Sequence, residues 1–228
     1  MWHNEYSMTG QSVRDFMYKV YGWMALALAI TAGVAYYVAS NPVVFQTIVA
    51  SPLVFVLVLV QLGLVFFLSA RISSMEFSTA VVSFLAYSAL SGITFSVYFQ
   101  LYTLQSIYLA FAITAGTFSA MALYGYFTKS DLSAMGSFLV MGLFGLMIAM
   151  FANMWFQSPV ANYYISLVAV GIFTLLTAYD VQKIKEIGRS ITDPEMASKI
   201  ALLGALTLYL DFINLFIHLL RLFGERKK

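Results

Sequence analysis

The sequence contains no cysteine, so disulfides, thiolate metal sites and a cysteine nucleophile are excluded. Its two histidines, His3 and His218, are too few for a histidine-rich metal centre. Charge is scarce: 10% of the 228 residues are Asp, Glu, Lys or Arg, against roughly 25% in an ordinary globular domain. The formal net charge of +2 is too small to hold a polyanion, which excludes a nucleic-acid binder. A soluble enzyme of this length needs far more polar surface. A disordered chain is excluded by the 61% hydrophobic content. What the chain has in quantity is apolar sequence in long blocks, the mark of an integral membrane protein.

A helix needs about 20 apolar residues to cross the hydrocarbon core. Such runs occur at 20–39, 52–70, 77–99, 107–127, 134–156 and 160–179, and a seventh at 200–223 is interrupted by Asp211. None shows the alternating ten-residue segments of a membrane barrel, so each span is helical. The fold class is all-α: a polytopic bundle of seven transmembrane helices in a single integral membrane domain, 1–228. Within it, 1–19 reads as a cytoplasmic N-terminal segment, 20–223 as the helices and 224–228 as a basic tail. Glu5, Arg14 and Asp15 stand ahead of a full-length apolar run, which suits a retained first helix better than a cleaved signal. No internal repeat supports an inverted-repeat transporter.

The connections differ in charge. Those at 40–51, 100–106 and 157–159 contain no charged residue. The other side receives Arg14, Lys19, Arg71, Lys129, Lys183, Lys185, Arg189 and Lys199. The positive-inside rule therefore places the N-terminus in the cytoplasm. Seven full spans put Arg221, Arg226, Lys227 and Lys228 outside, against that rule, so the last segment either crosses or enters and returns. The 180–199 stretch reads as a polar loop, with Asp193-Pro194 starting the final helix.

Small residues recur every four positions at Ser88, Gly92 and Ser96, and at Ala112, Gly116 and Ala120. Each set lies on one helix face and lets a neighbouring backbone approach; the functional alternative makes one face a pore lining. The ionisable residues say more. Asp211 lies near the middle of its run, where a charged aspartate costs about 2.5–3.5 kcal/mol. Thr207, Asp211, Asn214 and His218 share one helical stripe and form a polar seam expected to face the bundle interior. Asp180 closes the sixth run and Arg71 ends the second, both on the basic side. These three charges suffice for one buried cluster, although spacing alone does not bring them together.

Leu175-Leu-Thr-Ala-Tyr-Asp180, Leu206-Thr-Leu-Tyr-Leu-Asp-Phe-Ile-Asn-Leu-Phe216 and Leu219-Leu-Arg-Leu-Phe-Gly224 resemble the last two helices of the Bax inhibitor-1 (TMBIM) family. Ser91-Gly-Ile-Thr94 and Tyr124-Gly-Tyr-Phe-Thr-Lys-Ser-Asp131 extend the resemblance over nearly the whole chain. It implies seven helices with the last enclosed by the other six, in a bacterial inner membrane. It also implies a hydrogen-bonded pair, Asp180 and Asp211, acting as pH sensor and gate of a calcium leak, with Arg71 as the arginine that bonds to them. No cofactor is implied. The resemblance implies calcium as the permeant ion, with the lipid bilayer, calcium and protons as partners, and Asp180 and Asp211 are the expected transient calcium site.

The physics of such a pair stands apart from the resemblance. Two carboxylates within hydrogen-bonding distance do not readily both ionise, and they share a proton. Losing that proton sets up repulsion and bares oxygens suited to a hard cation. Pairing an interfacial Asp180 with a central Asp211 requires the last helix to start well below the membrane surface, or to tilt. Two other readings compete. One is a non-transporting modulator of a membrane quality-control protease or a cell-death pathway, acting through another membrane protein. The other is an intramembrane aspartyl protease, but Leu208-Tyr209-Leu210 stands where that class has Gly-x-Gly, and no proline lies in a Pro-Ala-Leu segment. A rhomboid-like serine protease fits less still, because Ala89-Leu90-Ser91-Gly92 lacks the first glycine. The expectation is a membrane protein that is not an enzyme.

Overall fold

A computed structural model describes residues 10–49 and 51–227, with side chains from Val13 onward. His3, Glu5 and Lys228 lie outside the described residues. The helices are α1 (Gly10–Ser40), α2 (Pro42–Val44), α3 (Leu53–Arg71), α4 (Phe77–Leu101), α5 (Leu104–Phe127), α6 (Ser133–Phe156), α7 (Pro159–Ser190) and α8 (Pro194–Phe223). A π-helical turn at Phe45–Val49 follows α2. All but α2 and that turn are long and apolar enough to cross a membrane. The expected all-α membrane bundle with seven candidate spans is therefore present.

The helix ends follow local chemistry. Asn41 accepts from the Val44 amide ahead of Pro42, and Thr103 accepts from the Ser106 amide. Asp193 caps α8 by accepting from the Glu195 and Met196 amides, as Asp193-Pro194 foretold. Gln157, in the left-handed region at φ 49°, ends α6. The Asn153 side chain bonds both backbone groups of Ser158 and closes the tight return into α7.

Two boundaries differ from expectation. The sixth run does not end at Tyr179: α7 continues to Ser190, leaving only 191–193 as connection where a loop over 180–199 was expected. The reason is amphipathicity. Val181, Ile184, Lys185 and Gly188 are buried at helical spacing, while Lys183, Glu186 and Arg189 point outward. Likewise α1 begins at Gly10, inside the segment expected to precede the first helix, because Val13, Phe16, Met17 and Val20 line one buried face.

The chain packs as two compact units, 1–101 with 184–209, and 102–183 with 210–228. In the first, α4 lies close against α1. A Cβ on Gly92 would stand 2.7 Å from the Thr31 carbonyl oxygen and from Val34 Cβ, and Ser88 and Ser96 are buried on the same stripe. That stripe is a packing face. The second stripe is not: Ala112, Gly116 and Ala120 are exposed, and nothing lies within 4 Å of a Cβ on Gly116. It is the opposite face of α5, with Thr114, Phe118 and Ala122, that is buried. In the second unit, the Phe212 ring sits against Phe111 and Phe118 at 5.5 and 5.4 Å.

Much of the outer surface is apolar. Phe55, Leu59 and Phe66 on α3 and Phe144, Ile148 and Phe151 on α6 are exposed, as expected for helices solvated by lipid. In α8, 61% of the most apolar stretch is buried, against at most 39% in any other span. It is the most buried span, and its first half belongs to one unit and its second half to the other.

Candidate functional site

Asp180 on α7 and Asp211 on α8 belong to the same unit, and their carboxyl groups lie within side-chain hydrogen-bonding reach. Asp211 is 5% exposed and Asp180 half-buried. The second carboxylate oxygen of Asp211, Oδ2, is buried and has no hydrogen-bond partner among the described residues. The geometric condition for the pair is met. α8 starts at Pro194, about 25 Å of helix before Asp211, and α7 runs about 15 Å beyond Asp180. Both helices continue past the pair on the same side, so neither carboxyl sits at a helix end.

Asp180 is held by a braced stretch of α7. Gly125 of α5 lies against the Ala178 backbone, where any side chain would collide. Gly136 of α6 receives the ring of Tyr179 in the same way. Gln182 is buried; its Oε1 accepts from the Leu132 amide and its Nε2 donates to the Ser130 carbonyl, both at 2.9 Å. The Lys183 ammonium stands 5.5 Å from the centre of the Tyr179 ring, and its field reaches Asp180. Lys183 is thus the cation beside the pair within this unit.

The polar seam of α8 divides by what its members bond. Thr207 and Asn214 turn back on their own helix, donating to the Leu203 and Leu210 carbonyls at 3.2 and 2.8 Å. His218 reaches α7: its Nδ1 shares a 3.3 Å hydrogen bond with Ser166 Oγ, and its ring stacks on Phe173. Arg71 closes α3 in the other unit and is exposed. A side-chain ion pair joins Lys199 and Glu195 at 2.8 Å.

A second polar group escaped the sequence reading. Thr31 Oγ1 donates to the Ser88 carbonyl at 2.9 Å and lies 2.8 Å from the Tyr209 hydroxyl, so Tyr209 donates to it. Tyr209 is fully buried, edge-on to Tyr87 and Phe84. The partners are 178 residues apart, and nothing in either neighbourhood signals the other.

Four carboxylate oxygens are fewer donors than the six to eight that resident calcium takes. No group of three or more His, Cys, Asp or Glu side chains comes together among the described residues.

The C-terminal end bears on the question that charge left open. α8 is one helix without a break through Asp211. Beyond it, Glu225 pairs with the connection between α4 and α5: the Thr103 amide donates to the Glu225 carbonyl at 3.1 Å, and the Glu225 amide to Ser106 Oγ at 2.9 Å. α8 is thus unbroken and long and apolar enough to cross, and the tail lies at the start of α5.

The family described as "Inhibitor of apoptosis-promoting Bax1" matches residues 13–228. The chain is 44% identical to the inner membrane protein YbhL of Escherichia coli strain K12 over 218 residues, covering 94% of this chain and 93% of that one. It is 45% identical to an uncharacterized protein of Borreliella burgdorferi over 214 residues, 93% and 92% of the two chains. A Deinococcus radiodurans protein is 41% identical over 218 residues, 96% and 94% of the two. With seven candidate spans and these matches along nearly its whole length, the chain belongs to the Bax inhibitor-1 family.

Proposed function

We propose that this protein is a pH-sensitive calcium leak whose gate is the Asp180–Asp211 pair. One observation carries the reading: two carboxyl groups from neighbouring helices lie within bonding reach, and that of Asp211 is almost wholly buried with an unpartnered oxygen. A shared proton makes the pair a tie between α7 and α8 and leaves one negative charge instead of two. When pH rises and the proton leaves, like charges at this range repel with little solvent to screen them. α7 is braced by Gly125, Gly136 and Gln182, so α8 is the partner that yields. The bared oxygens then offer a hard cation a transient foothold. Flux rises with pH.

The N-terminus faces the cytoplasm, on the strength of the eight basic residues on its side. The location is the bacterial inner membrane, as for the relative YbhL, an inner membrane protein. We do not read the pair as a protease, because Asp211 sits in unbroken helix and is almost wholly buried. The purified protein in liposomes tests the reading. Calcium entry without any partner, rising from acid to alkaline pH, is the expected result. Folded protein without flux at any pH would instead favour a modulator that acts through another membrane protein.

A further inference from the structure

The second unit holds a patch of charge that the gate does not use. Its connections at 102–103 and 157–158 contain no charged residue, yet α8 ends at the same end of the unit with Arg221, Glu225, Arg226 and Lys227, all exposed. The backbone there does not trail into water. The Gly224 amide bonds the Leu220 carbonyl at 2.8 Å, and Gly224 lies so close to Tyr102 that a Cβ would stand 2.6 Å from its ring. Glu225 is tied through both backbone groups to Thr103 and Ser106, and Arg226 forms an antiparallel bridge with Tyr102. The tail is folded flat over the start of α5.

The depth of this turn can be read from its neighbours. Phe223 is 63% exposed between Arg221 and Arg226. At the same end, Trp155 and Phe156 close α6 and Tyr163 and Tyr164 open α7, all exposed. Exposed Trp and Tyr at helix ends mark the level of the lipid headgroups. Three cations against one carboxylate are therefore held at that level beside an apolar ring that suits acyl chains. From this juxtaposition we infer that the C-terminal turn, Arg221 to Lys227, is a binding site for the anionic headgroup of a phospholipid. The arginine forks match a phosphate's oxygens, and Lys227 adds a point charge. The clasp supplies order in advance, so little chain entropy is lost on binding. This site does not depend on the leak reading.

The test titrates the full-length protein in neutral detergent with short-chain phosphatidylglycerol, phosphatidylcholine and inorganic phosphate, and follows bound lipid by native mass spectrometry. Phosphatidylglycerol should bind at least about tenfold more tightly than phosphatidylcholine, since each basic residue contributes roughly fivefold. Raising salt should shrink that preference. The Arg226→Gln/Lys227→Gln variant should lose most of it, and Glu225→Gln should strengthen it, because only the opposing charge goes while the backbone clasp stays. A merely structural role for the tail gives no reason for that strengthening. Equal binding of the two lipids, an unchanged preference in the double variant, or full displacement of phosphatidylglycerol by millimolar phosphate would overturn the site.

Discussion

Asp211 and Tyr209 are two positions apart on α8 and about 200° apart around it, and each commits its polar group to a neighbouring helix. Tyr209 donates to Thr31, while Asp211 meets Asp180. The hydroxyl bond belongs to the class that contributes about 0.6–1.7 kcal/mol between membrane helices. Tyr209→Phe and Thr31→Val should each lower stability by about that much, and the double variant by clearly less than their sum. A double-mutant cycle of unfolding in mixed micelles measures this; strictly additive losses would mean the bond contributes nothing. Gln182 is the more exacting case. Gln182→Leu strands the buried Leu132 amide and should cost about 1–3 kcal/mol, visible as a lower thermal midpoint. None of these partnerships could be read from the sequence. Asp180 and Asp211 were legible as candidates because a carboxylate inside an apolar run is expensive in itself. The Thr31 and Gln182 side chains are ordinary residues until their partners arrive.

At the scale of the helices, the sequence was most informative where lipid sets the rules. Four of the seven runs, those behind α3 to α6, end within three residues of the observed helices, because bilayer thickness fixes how much apolar chain is needed. The last turns of α7 were hidden. Once a helix leaves the hydrocarbon, its exposed face fills with Lys, Glu and Arg, and a hydropathy reading takes it for a loop. The small-residue stripes show a second limit. Spacing assigns residues to one face but not the direction of that face, since the lipid side of a membrane helix is as apolar as its packed side. Two glycines separate these cases. Gly92→Ala drives a methyl into the Thr31 backbone and Val34 and should cost about 1–3 kcal/mol. Gly116→Ala meets nothing and should be neutral or stabilising by up to about 1 kcal/mol. Equal effects on the unfolding midpoint would refute the assignment of the two faces.

For the whole molecule, topology and gating are the two claims at issue. Charge counting left the side of the C-terminus open because Arg221, Arg226, Lys227 and Lys228 weigh against crossing. The unbroken α8 and the bonds from Glu225 to Thr103 and Ser106 are what a full crossing requires. Because the chain has no cysteine, single Ser190→Cys and Lys227→Cys variants can be labelled without background. A membrane-impermeant maleimide should reach Lys227→Cys from outside intact cells, and Ser190→Cys only after permeabilisation. Labelling of both from one side would return the tail to the N-terminal face.

The central claim is that one shared proton between Asp180 and Asp211 controls a calcium path. Calcium entry into dye-loaded liposomes, scanned from pH 5 to 8 with wild type, Asp180→Asn and Asp211→Asn at equal reconstitution, tests it most directly. Wild-type flux should rise with pH, by up to roughly tenfold per unit below the midpoint for a single titrating proton. Each asparagine variant should lose that slope, since an amide cannot release the proton. A wild-type slope that survives unchanged in both variants would contradict the gate.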